Sequence, residues 1–182
     1  MNKTYISADE YLRDIWRLAA GIRGSGWRPD VLIGLWRGGA PAAIAVHEFL
    51  KVSGWEVSHE PLKCSSYTGI GQNEGEVEFF GGDAVFVGLR PGVRVLVVDD
   101  IFDTGKTAAA IRPRILGLGA EMRLACVYWK SLANQTSLSP DYFARDVGGD
   151  WIVFPHEIEG LSGGEVLEKD RFLAGLLGQF SP

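Results

Sequence analysis

The chain has 182 residues, 46% hydrophobic and 23% charged, at a mean hydropathy near zero. That suits one globular domain with a single core and argues against a disordered chain. Net charge is −5, which argues against the broad basic face that nucleic-acid binding needs, while a small anion held by local backbone amides stays compatible. No apolar run approaches the ~20 residues of a membrane helix, so no membrane partner is expected. Met1-Asn2-Lys3-Thr4-Tyr5 lacks a basic-then-apolar leader pattern. Cys64 and Cys126 are far apart and show no CxxC spacing, against a disulfide framework or a zinc site. The expected location is cytoplasmic.

In chain order, Ser7 with Glu10 three residues on forms a capping-box pattern. Tyr11, Ile15, Leu18 and Ala19 then recur at helical spacing, and Gly24, Gly26 and Pro29 end that helix. Residues 31–36, Val-Leu-Ile-Gly-Leu-Trp, read as a buried strand. Arg37-Gly38-Gly39 is a turn, and Pro41 suits the first turn of a helix running to about Val52. Trp55 to Cys64 reads as the next strand. Residues 65–82 are glycine-rich and polar, then alternating, and read as a mobile loop closing into a hairpin. Pro91-Gly92 turns the chain into a strand over 94–99. A helix follows from Thr107 to Leu116, where Pro113 is expected to kink or shorten it and Gly117 and Gly119 to stop it. Leu124 to Trp129 and Trp151 to Phe154 read as strands, and Glu165 to Leu177 as a final helix. Strand and helix alternate from 31 to 129. The expected fold is therefore α/β, with a mostly parallel central sheet flanked by helices. Nothing in the pattern marks a repeat, a linker or a second domain. His47 and His59 read as ordinary residues of a helix face and a strand.

Residues 94–107 are the most informative. Arg-Val-Leu-Val-Val-Asp-Asp-Ile-Phe-Asp-Thr-Gly-Lys-Thr takes a Val-rich run into adjacent acids and a short polar loop before a helix. Open α/β sheets bind ligands at this end of their strands. Gly105-Lys106-Thr107 suggests a P-loop, but that motif needs a glycine at 100, which is Asp. A GxGxxG turn is absent too. An aspartyl nucleophile remains an open reading. The spacing has its own logic. Gly105 lets the backbone approach a ligand closely. Thr104 and Thr107 put hydroxyls beside a helix N-terminus, making a phosphate cup. Asp99 and Asp100 could bind ribose hydroxyls, directly or through Mg²⁺. Asp103 could act as a general base or stabilise developing positive charge.

The run Val97-Val98-Asp99-Asp100-Ile101-Phe102-Asp103-Thr104-Gly105-Lys106-Thr107 resembles the phosphoribosyl-pyrophosphate signature of the type I phosphoribosyltransferases. The resemblance implies that Asp99 and Asp100 hold the ribose hydroxyls. It also implies that Asp103, Thr104, Gly105, Lys106 and Thr107 hold the 5-phosphate. Trp36-Arg37-Gly38-Gly39 resembles the pyrophosphate loop of bacterial xanthine-guanine phosphoribosyltransferases, with Trp36 in place of a small residue. Arg37, Gly38 and Gly39 would then face pyrophosphate, and Trp36–Arg37 becomes a candidate cis peptide. Ser65-Ser66-Tyr67 resembles the start of the family's catalytic flexible loop. Lys130 stands where 6-oxopurine enzymes place a lysine that donates to the purine C6 oxygen. Residues 150–157 resemble the base-binding hood, where Trp151 would stack on the base and the Ile152 backbone would read its edge. Glu157 falls where relatives carry an acid near pyrophosphate and a second metal.

Taken together, the resemblance implies a single phosphoribosyltransferase domain over 1–182. Its core would span about 25–135, with a hood from the N-terminal segment and about 140–182, and the flexible loop at about 65–82. It implies a purine salvage enzyme joining hypoxanthine, guanine or xanthine to 5-phosphoribosyl-1-pyrophosphate, with Mg²⁺ as cofactor and Asp99, Asp100 and Glu157 as its ligands. Asp103 and Arg37 would be the catalytic residues, and family analogy suggests a homodimer or homotetramer. The alternatives are transfer to adenine or a pyrimidine, and a non-catalytic regulator of the same fold that senses phosphoribosyl pyrophosphate or a nucleotide.

Overall fold

A computed structural model describes residues 3–66 and 77–180. The elements in order are β1 (Lys3–Tyr5), α1 (Ala8–Gly24), β2 (Val31–Trp36), α2 (Gly39–Val52), β3 (Ser58–Ser66), β4 (Val77–Phe80) and α3 (Gly82–Val87). They continue with β5 (Arg94–Phe102), α4 (Lys106–Gly117), β6 (Glu121–Trp129), β7 (Tyr142–Asp146), β8 (Trp151–Val153), α5 (Gly163–Lys169) and α6 (Arg171–Gly178). The chain groups into two compact units, one of residues 12–149 and one of residues 1–11 with 150–182. Among the described residues, no helix is long and apolar enough to cross a membrane.

The larger unit holds a six-stranded sheet in the order β4-β3-β2-β5-β6-β7. Every pairing is parallel except β3 with β4. β5 is central because Val95, Leu96, Val97 and Val98 are all fully buried, as a strand covered on both faces must be. Alternate residues feed opposite layers. Ile33, Leu35, Val95 and Val97 join Ile111 and Ile115 of α4 in one core cluster. On the other face α2 packs against β2 and β5. That contact is close: a Cβ on Gly34 would stand 2.6 Å from the Ala43 Cβ.

Asp14 of α1 is fully buried. It accepts hydrogen bonds from the Tyr128 hydroxyl at 3.0 Å and from Arg17 at 2.7 Å, and it pairs with Arg145. One carboxylate thus ties a helix to β6 and β7.

The smaller unit pairs β1 with β8 in parallel, Thr4 opposite Ile152. Lys3 is ion-paired to Glu165. Together with the Ser162 N–H and hydroxyl, that contact holds the Glu165 carboxyl down at about 2. Lys169 donates to the carbonyls of Phe154 and Glu157, tying α5 to the turn after β8.

Several expectations are corrected. β5 runs to Phe102 rather than ending at Asp99, so Asp100 also lies inside the strand; Ile101 and Phe102 still pair with Tyr128 and Trp129. β3 starts at Ser58, because Trp55 is held back by its N–H to the Leu50 carbonyl, closing the end of α2. α4 continues through Pro113 to Gly117, with buried Ile111 and Ile115 anchoring the turns on either side. The final helix is two: Asp170, extended at φ −160°, ends α5, and its side chain caps α6 through the Leu173 N–H. The hairpin expected within 65–82 is present, however: β3 and β4 pair antiparallel with Ser66 opposite Val77, and α3 follows from Gly82. β7 extends the main sheet, so the smaller unit resumes at Asp150 rather than about 140.

Replacing Asp14 by Ala leaves Arg145 and the Tyr128 hydroxyl without their shared acceptor. Asp14 is fully buried, but Arg145 is 38% exposed and can turn to water, so the loss is that of the buried hydrogen bonds, about 1–3 kcal/mol. Urea unfolding is expected to show that loss as a lower midpoint for Asp14→Ala, with a smaller loss for Asp14→Asn.

Candidate active site

Three loops at the carboxyl ends of neighbouring strands build the site in the larger unit. Residues 37–38 leave β2, residues 103–105 leave β5, and residues 130–141 leave β6. The Trp36–Arg37 peptide bond is cis, as the resemblance implied. Its loop lies against the acidic end of β5 at backbone contact. A Cβ on Gly38 would stand 2.0 Å from an Asp100 oxygen, and one on Gly39 would stand 2.7 Å from the Val98 carbonyl. The two glycines are therefore required by space. Arg37, next to them, is exposed.

Asp99 and Asp100 both bond local amides. The Asp100 N–H donates to Asp99 at 3.0 Å, and the Ile101 N–H donates to Asp100 at 2.8 Å. Burial pushes the Asp99 carboxyl well above the usual carboxylate range, and the neighbouring Asp100 charge adds to the push. Burial, with the same two acids behind it, also raises the Cys64 thiol to about 11, so that sulfur is no nucleophile at neutral pH. A buried carboxyl facing a like charge is the environment a cation or a row of ribose hydroxyls relieves. Among the described residues no three His, Cys, Asp or Glu side chains converge as a metal cage. Mg²⁺ normally takes one or two protein carboxylates and completes its shell with substrate oxygens and water, so this donor pair fits it.

The loop after β5 leads through Gly105 into a helix. Gly105 adopts φ +80° and opens α4, which has no side-chain cap. The first N–H groups of a helix lack intrahelical partners and favour an anion. Lys106 N–H reaches the Thr104 hydroxyl only at 3.5 Å. A cavity of about 280 Å³ lies under this loop, lined among others by Asp99, Asp100, Asp103, Thr104, Gly105 and Thr107.

Lys130 meets Asp103. Its ammonium donates to the Asp103 carboxylate at 2.8 Å, with the lysine side chain 11% exposed and the aspartate 45%. The sequence placed both near the ligand without pairing them. It also missed Asn134, Gln135 and Thr136. The Gln135 N–H donates to the Thr104 carbonyl at 3.0 Å, and Thr136 and Asn134 fill the space beside Gly105. The polar Asn-Gln-Thr-Ser run was a visible turn signal, but its target was not.

Ser65 and Ser66 close β3, and Tyr67 lies outside the described residues. Trp151, Ile152 and Glu157 belong to the smaller unit. Trp151 is 51% exposed on β8, Ile152 is buried beside it, and Glu157 accepts the Phe154 N–H at 3.4 Å.

With this geometry in hand, comparison with known proteins is decisive. The phosphoribosyl transferase domain family matches residues 5–160. The chain belongs to that family. This phosphoribosyltransferase is similar to a purine phosphoribosyltransferase from Pyrococcus horikoshii, at 30% identity and TM-score 0.70, over 89% of this chain and 99% of that one. It shares its fold with a Neisseria gonorrhoeae protein with bound ppGpp, at 24% identity and TM-score 0.76, covering 96% and 97%. A hypoxanthine phosphoribosyltransferase from Staphylococcus aureus shares the fold at 18% identity and TM-score 0.64, covering 78% and 75%.

Asp99 carries a stability cost with a defined pH signature. Its folded-state value lies above the ordinary 3.8, so its contribution is fully present below that value and is lost as pH rises through the folded-state value. Asp99→Asn removes the cost. Thermal melts across pH are expected to show the variant gaining on the parent as pH climbs from acid to neutral. Parallel curves would remove the strain assigned to this carboxyl.

Proposed function

We propose that this phosphoribosyltransferase is a purine salvage enzyme. It joins a 6-oxopurine, namely hypoxanthine, guanine or xanthine, to 5-phosphoribosyl-1-pyrophosphate and releases pyrophosphate. The observation that carries the reading is the 2.8 Å Lys130–Asp103 pair beside the phosphate cup. An ammonium only donates and a carboxylate only accepts. A 6-oxopurine presents the complementary edge, an acceptor at O6 beside an N–H at N7. Swapping the ion pair for that edge leaves neither group unsatisfied. An aminopurine offers a donor to the lysine and is rejected.

The chemistry follows from these placements. The base nitrogen bonds to C1 as the C1–oxygen bond to pyrophosphate breaks. Asp103 takes the N7 proton or stabilises it. Arg37 and the Gly38-Gly39 amides receive the pyrophosphate, and Asp99 and Asp100 receive the ribose hydroxyls. Mg²⁺, where bound by Asp99 and Asp100, would neutralise leaving-group charge as a Lewis acid. Trp151 would stack on the base, an interaction worth about 1–3 kcal/mol.

A second reading, a nucleotide-sensing regulator, is favoured by one observation: the gonococcal protein of the same fold has ppGpp bound. Pyrophosphate release separates the two.

Turnover with hypoxanthine, guanine, xanthine, adenine and uracil tests the proposal. Pyrophosphate release is expected with at least one oxopurine and not with adenine or uracil. Binding of phosphoribosyl pyrophosphate without release for any base would refute the enzyme reading. Lys130→Met is expected to lower kcat/KM for the oxopurine by about 10–100-fold, the loss of one charged hydrogen bond, and to narrow the gap to adenine. Arg37→Ala is expected to reduce kcat by about 10²–10³ while its melting curve stays near that of the parent.

A further inference from the structure

The turn after β6 touches Asp103, Thr104 and Gly105 in succession. Lys130 pairs with Asp103, Gln135 N–H bonds the Thr104 carbonyl, and Thr136 and Asn134 stand against Gly105. The last contact is close: a Cβ on Gly105 would lie 2.4 Å from the Thr136 hydroxyl and 2.8 Å from the Asn134 carbonyl oxygen. Asn134 makes most of the side-chain bonds that hold this turn in shape. Asn134 Oδ1 accepts from the Thr136 N–H at 2.9 Å and from its hydroxyl at 3.0 Å. Asn134 Nδ2 donates to the Leu138 carbonyl at 2.7 Å. The Thr136 hydroxyl in turn accepts the Leu138 N–H at 3.2 Å.

We propose that Asn134 is a positioning residue that sets the affinity of the phosphate cup without touching the ligand. The inference rests on the reading of residues 103–107 as the site of a 5-phosphate. A trans peptide is planar, with its carbonyl and N–H pointing in opposite directions. Pinning the Thr104 carbonyl to Gln135 therefore aims the Gly105 N–H the other way, and no described residue accepts that N–H. The amide is pre-oriented for an anion before one arrives. Only a side chain with a donor and an acceptor on one short planar group closes the Asn134 bonds. Aspartate keeps the two acceptor contacts but sets a carboxylate oxygen against the Leu138 carbonyl. Alanine loses all three bonds. Freed, the turn lets the Thr104–Gly105 peptide rotate, and each ligand must then order it again.

The test is binding of ribose 5-phosphate to the full-length protein by calorimetry, alongside steady-state kinetics. Asn134→Ala is expected to weaken ribose 5-phosphate and raise KM for phosphoribosyl pyrophosphate by roughly tenfold, with KM for the base unchanged and Asn134→Asp between the two. A role confined to folding would instead lower the active fraction and leave the Kd of the folded protein alone. A folded Asn134→Ala that binds ribose 5-phosphate within about twofold of the parent overturns the proposal. If that variant does not fold, Asn134→Asp and Thr136→Val decide it by the same Kd criterion. A parent that binds ribose 5-phosphate yet releases no pyrophosphate with any base ends the enzyme reading and leaves this inference to the Kd values. A parent that does not bind it removes the phosphate site, and the inference with it.

Discussion

The backbone of the loop after β2 rests on the acidic end of β5, and the rest of the site depends on that contact. Gly38 and Gly39 leave no room for a side chain between themselves and Val98, Asp99 and Asp100. Two parallel neighbours in the centre of a sheet necessarily bring their carboxyl-end loops together. Here they meet without an intervening layer of side chains. The close fit covers the acidic end of β5, where lost solvation makes the Asp99 charge costly. A wider loop would relieve Asp99.

A chain with net charge −5 that binds a polyanion needs positive potential made locally. In the proposed site the uncapped start of α4, the glycine amides and two cations, Arg37 and Lys130, would supply it. Lys130 is held by Asp103, so its charge is stored in an ion pair that a ligand of matching donor–acceptor pattern can replace. Asp99 represents the opposite choice, a charged group held where its charge weakens the fold, which in the proposed reading trades stability for function.

Much of this was legible in the sequence for identifiable reasons. The bounds of β2 followed from six consecutive apolar or glycine residues between a Pro-Asp turn and an arginine. The loop-to-helix turn at 103–106 followed from Asp-Thr-Gly-Lys, because glycine at positive φ before a helix is a local requirement. Other features carried no local signal. β1 and β7 are short edge strands of mixed polarity, and pairing to β8 and β6 is what makes them strands. Asp170 looked like one more polar residue in a helix, yet its extended backbone splits that helix in two. Asp14 is a charged residue beside the apolar positions of α1, and only the fold makes it the buried acceptor for Tyr128 and Arg145, residues over a hundred positions away.

The sequence by itself determined the α/β alternation, the acid–threonine–glycine loop and the ligand class they suit. These rest on interactions within a few residues: periodic burial, a cap, a glycine's freedom at φ. The tertiary structure alone decided which groups face one another. It set Lys130 on Asp103, laid Asn134 and Thr136 against Gly105, and pressed Gly38 onto Asp100. Such pairs join residues tens of positions apart, and their distances exist only once strand order brings the loops of β2, β5 and β6 to one edge of the sheet.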